Sequence, residues 1–149
     1  MNAPPGLIWP WIVQIGFGRA GWYAYDLLDN LGRPSAKHTI PEPQQIRAGD
    51  VVPIYQGKGA PCGVGRKVKA FEAERWMLSW DDRTEDTSWV WALYPVDKDQ
   101  TRLIMRVRIR YRWTKPTILF NLLVESADPV MMRNCFLDIK QRAESLAAT

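Results

Sequence analysis

Two cysteines, one histidine and no long apolar run are what this chain offers where many functions need more, and each shortage excludes something. Cys62 and Cys135 stand far apart with no Cys-x-x-Cys pair and no Cys/His cluster, so neither a disulfide framework nor a zinc site is signalled. Both read as free thiols in a reducing compartment. His38 lies in a polar loop with only Asp26 and Glu42 as nearby acids, and no Ser-His-Asp constellation can be built on it. The apolar stretch from Leu7 to Ile15, broken by Pro10 and Gln14, is too short to span a bilayer and has no basic residue before it, so the expected location is cytoplasmic. Phosphate-binding loops are lacking too. Gly16-Phe17-Gly18-Arg19-Ala20-Gly21 satisfies Gly-x-Gly-x-x-Gly literally, but short strands and turns follow it in place of a parallel β-α-β unit, and it reads as a tight turn. The glycine-rich segment 57–65 lacks P-loop spacing, and the acidic run from Asp81 to Asp86 lacks the glycine and final glutamate of a calcium loop. No metal, cofactor or catalytic residue is therefore expected.

What is present suits one domain over 1–149, since 46% hydrophobic residues at this length can form a core. Eight tryptophans are many for such a chain, and their large apolar area with a single donor fits them to cores or to pocket walls. Twenty Lys and Arg against sixteen Asp and Glu leave a net +4, too modest an excess to indicate nucleic acid.

The most informative stretch is Thr101 to Trp113. Leu103, Met105, Val107, Ile109, Tyr111 and Trp113 alternate with Arg102, Ile104, Arg106, Arg108, Arg110 and Arg112, which is the period of a strand with one dry and one wet face. Extended at about 3.4 Å per residue it would exceed about 40 Å, so twist or bending is expected. Ser88 to Tyr94, with Trp89, Trp91 and Leu93 on one side, pairs with it as a hairpin across Asp97 to Gln100. Val51 to Tyr55 predicts another strand, and Val64 to Phe71 with Arg75 to Trp80 a further hairpin about Glu72 to Glu74, whose mixed pattern leaves open which side faces inward.

Helices are expected at both ends. The first begins near Pro5 with Ile8, Trp11, Ile12 and Ile15 on one face, and Pro10 argues for a kink or a later start. A short second helix over Trp22 to Leu31 is expected to turn Tyr23, Leu27, Leu28 and Leu31 inward and Asp26, Asp29 and Asn30 outward, with Trp22 and Tyr25 at its entrance. Near the C-terminus Asp128 offers an N-cap and Pro129 a first helical position, after which Met132, Cys135, Phe136, Ile139, Ala143 and Leu146 share a face. Asp138 and Arg142 are placed to pair on the exposed side.

The segments APPGLIWPWIVQIG, GRAGWYAYDLLDNLGRPSA, PEPQQIRAGDVVP, WVWALYPVDKDQTRLIMRVRIRYR and MMRNCFLDIKQRAE, in this order, resemble the bacterial SRPBCC proteins of the START-like, polyketide-cyclase-like superfamily. The resemblance covers nearly the whole chain and rests on segment order, not on a catalytic signature. It implies an α+β helix-grip fold, in which a bent antiparallel sheet wraps a long C-terminal helix and leaves a cavity for an apolar ligand. Similar sequences place a strand before the Ala-Pro turn, which is expected to be missing here, and commonly carry Arg where His38 stands.

Fold alone does not settle function, because this superfamily includes cyclases, lipid carriers, receptors and proteins of unknown role. The leading expectation is a module binding a small hydrophobic or aromatic molecule. Trp89, Trp91, Met105, Val107, Ile109 and Tyr111 supply one wall and Met132 and Phe136 the other, with Trp22 and Tyr25 as further ligand-binding residues. A cyclase or dehydratase using Tyr23, Tyr25, Asp26 or His38 is the alternative. A third reading, nucleic-acid or anionic-surface binding through Arg102 to Arg112, is set aside because Glu72, Glu74 and the acidic turn are expected to neutralise that face.

Overall fold

Residues 1–55, 64–81, 84–110 and 118–148 are described by a computed structural model of the chain, with backbone alone at 55, 64 and 118–127. The architecture is α+β. Strands β1 (Val51–Tyr55), β2 (Val64–Glu72), β3 (Trp76–Trp80), β4 (Thr87–Pro95) and β5 (Thr101–Ile109) form an antiparallel sheet whose spatial order is the chain order. Helices α1 (Pro5–Val13) and α2 (Asp26–Asp29) precede it, and α3 (Ile118–Ala147) follows.

The β4–β5 hairpin carries the alternation read from the sequence. Trp89 faces Val107, Trp91 faces Met105 and Leu93 faces Leu103, which sets one apolar row across from another, while Arg102, Arg106 and Arg108 are exposed on the other side. The part of the expected strand from Tyr111 to Trp113 lies outside the described residues. In β2 a bulge supplies what the mixed pattern left open. Val68 is opposite Ser79 and Phe71 opposite Met77, so the extra residue between them moves the inward positions from even to odd numbers. On the side of β5 away from β4, Met1 and Thr101 exchange both backbone hydrogen bonds at 3.0 Å.

The N-terminal helix starts at Pro5 and continues through Pro10, whose ring removes one intrahelical donor without ending it. Ile8, Trp9, Trp11, Ile12 and Val13 are all buried, so α1 is apolar nearly all round and sits in the core, packed against α3 and β4. The following glycine-rich segment closes on itself. Gly16 and Gly21 exchange backbone hydrogen bonds at 3.1 Å, which makes the literal dinucleotide motif a tight turn.

Four helical expectations are corrected. The second helix is four residues long, and Leu27, Leu28 and Leu31 are exposed while Asn30 is buried. The polar residues turn inward because the Asp26 carboxylate accepts from Asn30 Nδ2 (2.8 Å), the Ser35 backbone (3.0 Å) and Ser35 Oγ (2.6 Å). Positive φ at Tyr23 (55°) and Leu31 (52°) bends the backbone around that cluster. The C-terminal helix does not start at Asp128 but at Ile118, and Pro129 lies inside it on an exposed side where its missing donor is tolerated. Arg142 is not on a solvated side either. Its side chain is 18% exposed, bonded to Asp138 at 2.6 Å, with the guanidinium over the rings of Tyr23 (4.7 Å) and Trp11 (5.8 Å). Met132, Cys135, Ile139 and Ala143 are buried as the spacing predicts, whereas Leu146 is exposed.

Candidate functional site: the inner face of the sheet

The inner face collects most of the residues singled out in the sequence. A row of rings crosses it: Trp22 to Trp89 at 5.5 Å between centroids, Trp89 to Trp91 at 6.5 Å, and Trp91 to Phe136 of α3 at 5.9 Å and 90°. The last contact is edge-to-face, the geometry that the aromatic quadrupole favours, and it joins β4 to α3, where Met132 is also buried. Coverage then thins along β5. Trp89, Trp91 and Leu93 are buried, but Leu103, Met105 and Val107 opposite them are only partly so, and Ile109 is 39% exposed.

Two expected members stand apart. Tyr25 is exposed at the start of α2, where its backbone N–H donates to Asp29 Oδ2 at 3.0 Å. It does not join the ring row among the described contacts. Tyr111 lies outside the described residues.

One residue was not expected. Arg66 in β2 is opposite buried Val52 and two positions from buried Val68, so it points to the inner side, and its guanidinium lies 4.3 Å from the centroid of Trp89. Its Nε and the Trp89 Nε1 are both buried, and neither has a hydrogen-bond partner among the described residues. Burial lowers the Arg66 pKa from its ordinary value, opposed by Asp81 and Asp128. The sequence signal was the alternation Val64-Arg66-Val68, in which one arginine interrupts an otherwise apolar set.

The residues considered for acid–base chemistry have other work. Tyr23 is fully buried and its hydroxyl accepts from Gln14 Nε2 at 2.6 Å; burial pushes its pKa well up, against that hydrogen bond and nearby Arg142. For Asp26, burial opposes ionisation, but the bonds from Ser35 and Asn30, with Arg142, bring its carboxyl below the ordinary value. It is a structural acceptor for the α2 turn. His38 is exposed, and its carbonyl accepts from Gln14 at 3.3 Å.

On the outer face, Arg102, Arg106 and Arg108 make no ion pair with a described carboxylate. Glu72, expected to neutralise them, is bound to Arg75 (2.7 Å) and Trp76 Nε1 (3.1 Å). Arg106 and Arg108 border an open hollow of about 420 Å³ with Lys69, Leu78, Trp80 and Val90, in which Lys69 Nζ caps Trp80 at 3.5 Å. No described helix is long and apolar enough to cross a membrane, and no described group of His, Cys, Asp or Glu could hold a metal ion.

Comparison with protein-family models, with curated proteins and with solved structures finds no match.

Proposed function

We propose that the chain is a binding module for a small hydrophobic or aromatic molecule held between the sheet and α3, the role implied by its resemblance to the SRPBCC, START-like helix-grip proteins. The observation that carries this is the uneven cover of one apolar face. Leu103, Met105 and Val107 pair with buried Trp89, Trp91 and Leu93 yet stay partly exposed themselves, which is the condition of a surface that gains by taking an apolar partner. Methionine adapts to irregular shapes and the tryptophan faces stack on rings, so flat or flexible apolar molecules fit equally. Thermal melts against alkyl and polycyclic aromatic compounds test it. Stabilisation by one class, lost in Met105→Asp, is expected; no stabilisation by any compound would sink the reading.

A second reading has its own observation, the arginines of the outer face that make no ion pair among the described residues, beside the Trp80 hollow. That face would take a polyanion, with affinity falling steeply as salt rises. Titration of single-stranded DNA and RNA across salt concentrations checks it, and absent or salt-insensitive binding rejects it.

A further inference from the structure

Arg66 puts a cation on the face where only an apolar lining was expected. Its Nε and the Trp89 Nε1 are buried donors within one stack, the guanidinium being 4.3 Å from the ring that carries the second donor, and neither meets an acceptor among the described residues. Buried N–H groups in folded proteins are nearly always satisfied, and two neighbouring donors that meet no acceptor among the described residues are suited to an oxygen of a bound molecule. A guanidinium is planar and fork-shaped, weakly hydrated for its charge, and suited to bind two oxygens of one oxyanion while stacked on an aromatic ring. Trp22 on Trp89, and the partly covered Met105 and Val107 beyond, continue the same face as apolar surface.

We infer that the ligand is an anionic amphiphile, whose carboxylate or phosphate head is held by Arg66 and Trp89 Nε1 and whose apolar body lies along Val107 and Met105. This rests on the ligand-binding reading above and narrows it from any apolar molecule to one with an oxyanion at one end. Asp81 and Asp128 favour the charged guanidinium, against the effect of its burial.

The test is calorimetric titration of the full chain with decanoate, decyl phosphate and decanol, below their aggregation concentrations. The two anions should bind the wild type roughly tenfold or more tightly than the alcohol, the scale of a charge-assisted hydrogen-bond pair. Arg66→Gln should bring all three to within about twofold of one another, and Trp89→Phe, which keeps a ring and removes the donor, should lose part of the preference. Arg66→Lys covers the case in which the neutral variant does not fold, and should retain a reduced preference for the anions. The tighter of decanoate and decyl phosphate identifies the head group. Equal wild-type affinity for all three overturns the inference and leaves the apolar site standing, as does an anion preference that survives in Arg66→Gln. No binding of any of the three overturns both.

Discussion

Gln14 has no exposed surface, and its amide is spent within the chain. Nε2 donates to Tyr23 Oη (2.6 Å) and Oε1 accepts from Ile40 N (2.9 Å) and Gln44 Nε2 (3.2 Å), so one side chain ties the end of α1 to Tyr23 and to the loop after it. Gln14→Leu leaves buried polar groups unpaired and should cost about 2–3 kcal/mol, read as a lower urea midpoint with an unchanged slope. Cys135, buried on α3, makes a pH prediction. Burial pushes its thiol from 9.0 to about 12, with Asp138 and Asp29 adding to the rise. Below the unfolded value both states hold the proton. Between about 9 and 12 only the unfolded chain releases it, so stability falls with rising pH by up to about 1.4 kcal/mol per unit from this group. Tyr23, raised from 10.0, acts in the same direction at the upper end. Urea titrations at several alkaline pH values should show the fall, and a shallower one in Cys135→Ala.

At the scale of elements, the turn from Gly16 to Gly21 and the α2 cluster are one construction. Gly21 has φ +84°, and a Cβ there would lie 2.6 Å from Ser35 Oγ and 2.7 Å from Asn30 Nδ2, the groups that hold the Asp26 carboxylate. Gly21→Ala combines left-handed backbone strain with loss of that network and should cost about 2 kcal/mol or more, measured by chemical unfolding. Strand β5 makes a different point. It is the end strand of the sheet, and its exposed arginines keep that strand from serving as a template for another chain. Replacing Arg106 and Arg108 together by Val should leave the β4 register intact and raise the aggregation rate, followed by light scattering during refolding.

For the molecule as a whole, the joint between sheet and α3 at Trp91 and Phe136 decides how the inner face is closed at one end and less covered along β5. A double-mutant cycle of Trp91→Leu and Phe136→Leu should give a coupling of about 0.5–1.5 kcal/mol, and a value near zero would show that the rings do not hold the layers together. Much of this arrangement could be read directly from the residues. Period-two alternation in Thr101 to Ile109 and in β4 fixed which side of that hairpin is apolar, and the spacing of Met132, Cys135, Ile139 and Ala143 fixed the buried stripe of α3, because local periodicity and burial agree there. Other features follow from contacts between distant segments. The inward turn of Asn30 and Ser35 is set by a carboxylate they share, not by hydropathy, and the leucines beside them are exposed as a result. Arg142 is covered because α1 and Tyr23 lie against it. Arg66 faces inward because the register with β1 and the bulge in β2 decide which residues share its side of the sheet, and register is a property of strand pairs that no single strand encodes. The sequence alone determined the strands, the buried stripe of the C-terminal helix and the apolar row; the tertiary structure set where that helix begins and placed against that row a cation whose Nε meets no acceptor among the described residues, since only strand pairing brings Arg66 onto Trp89.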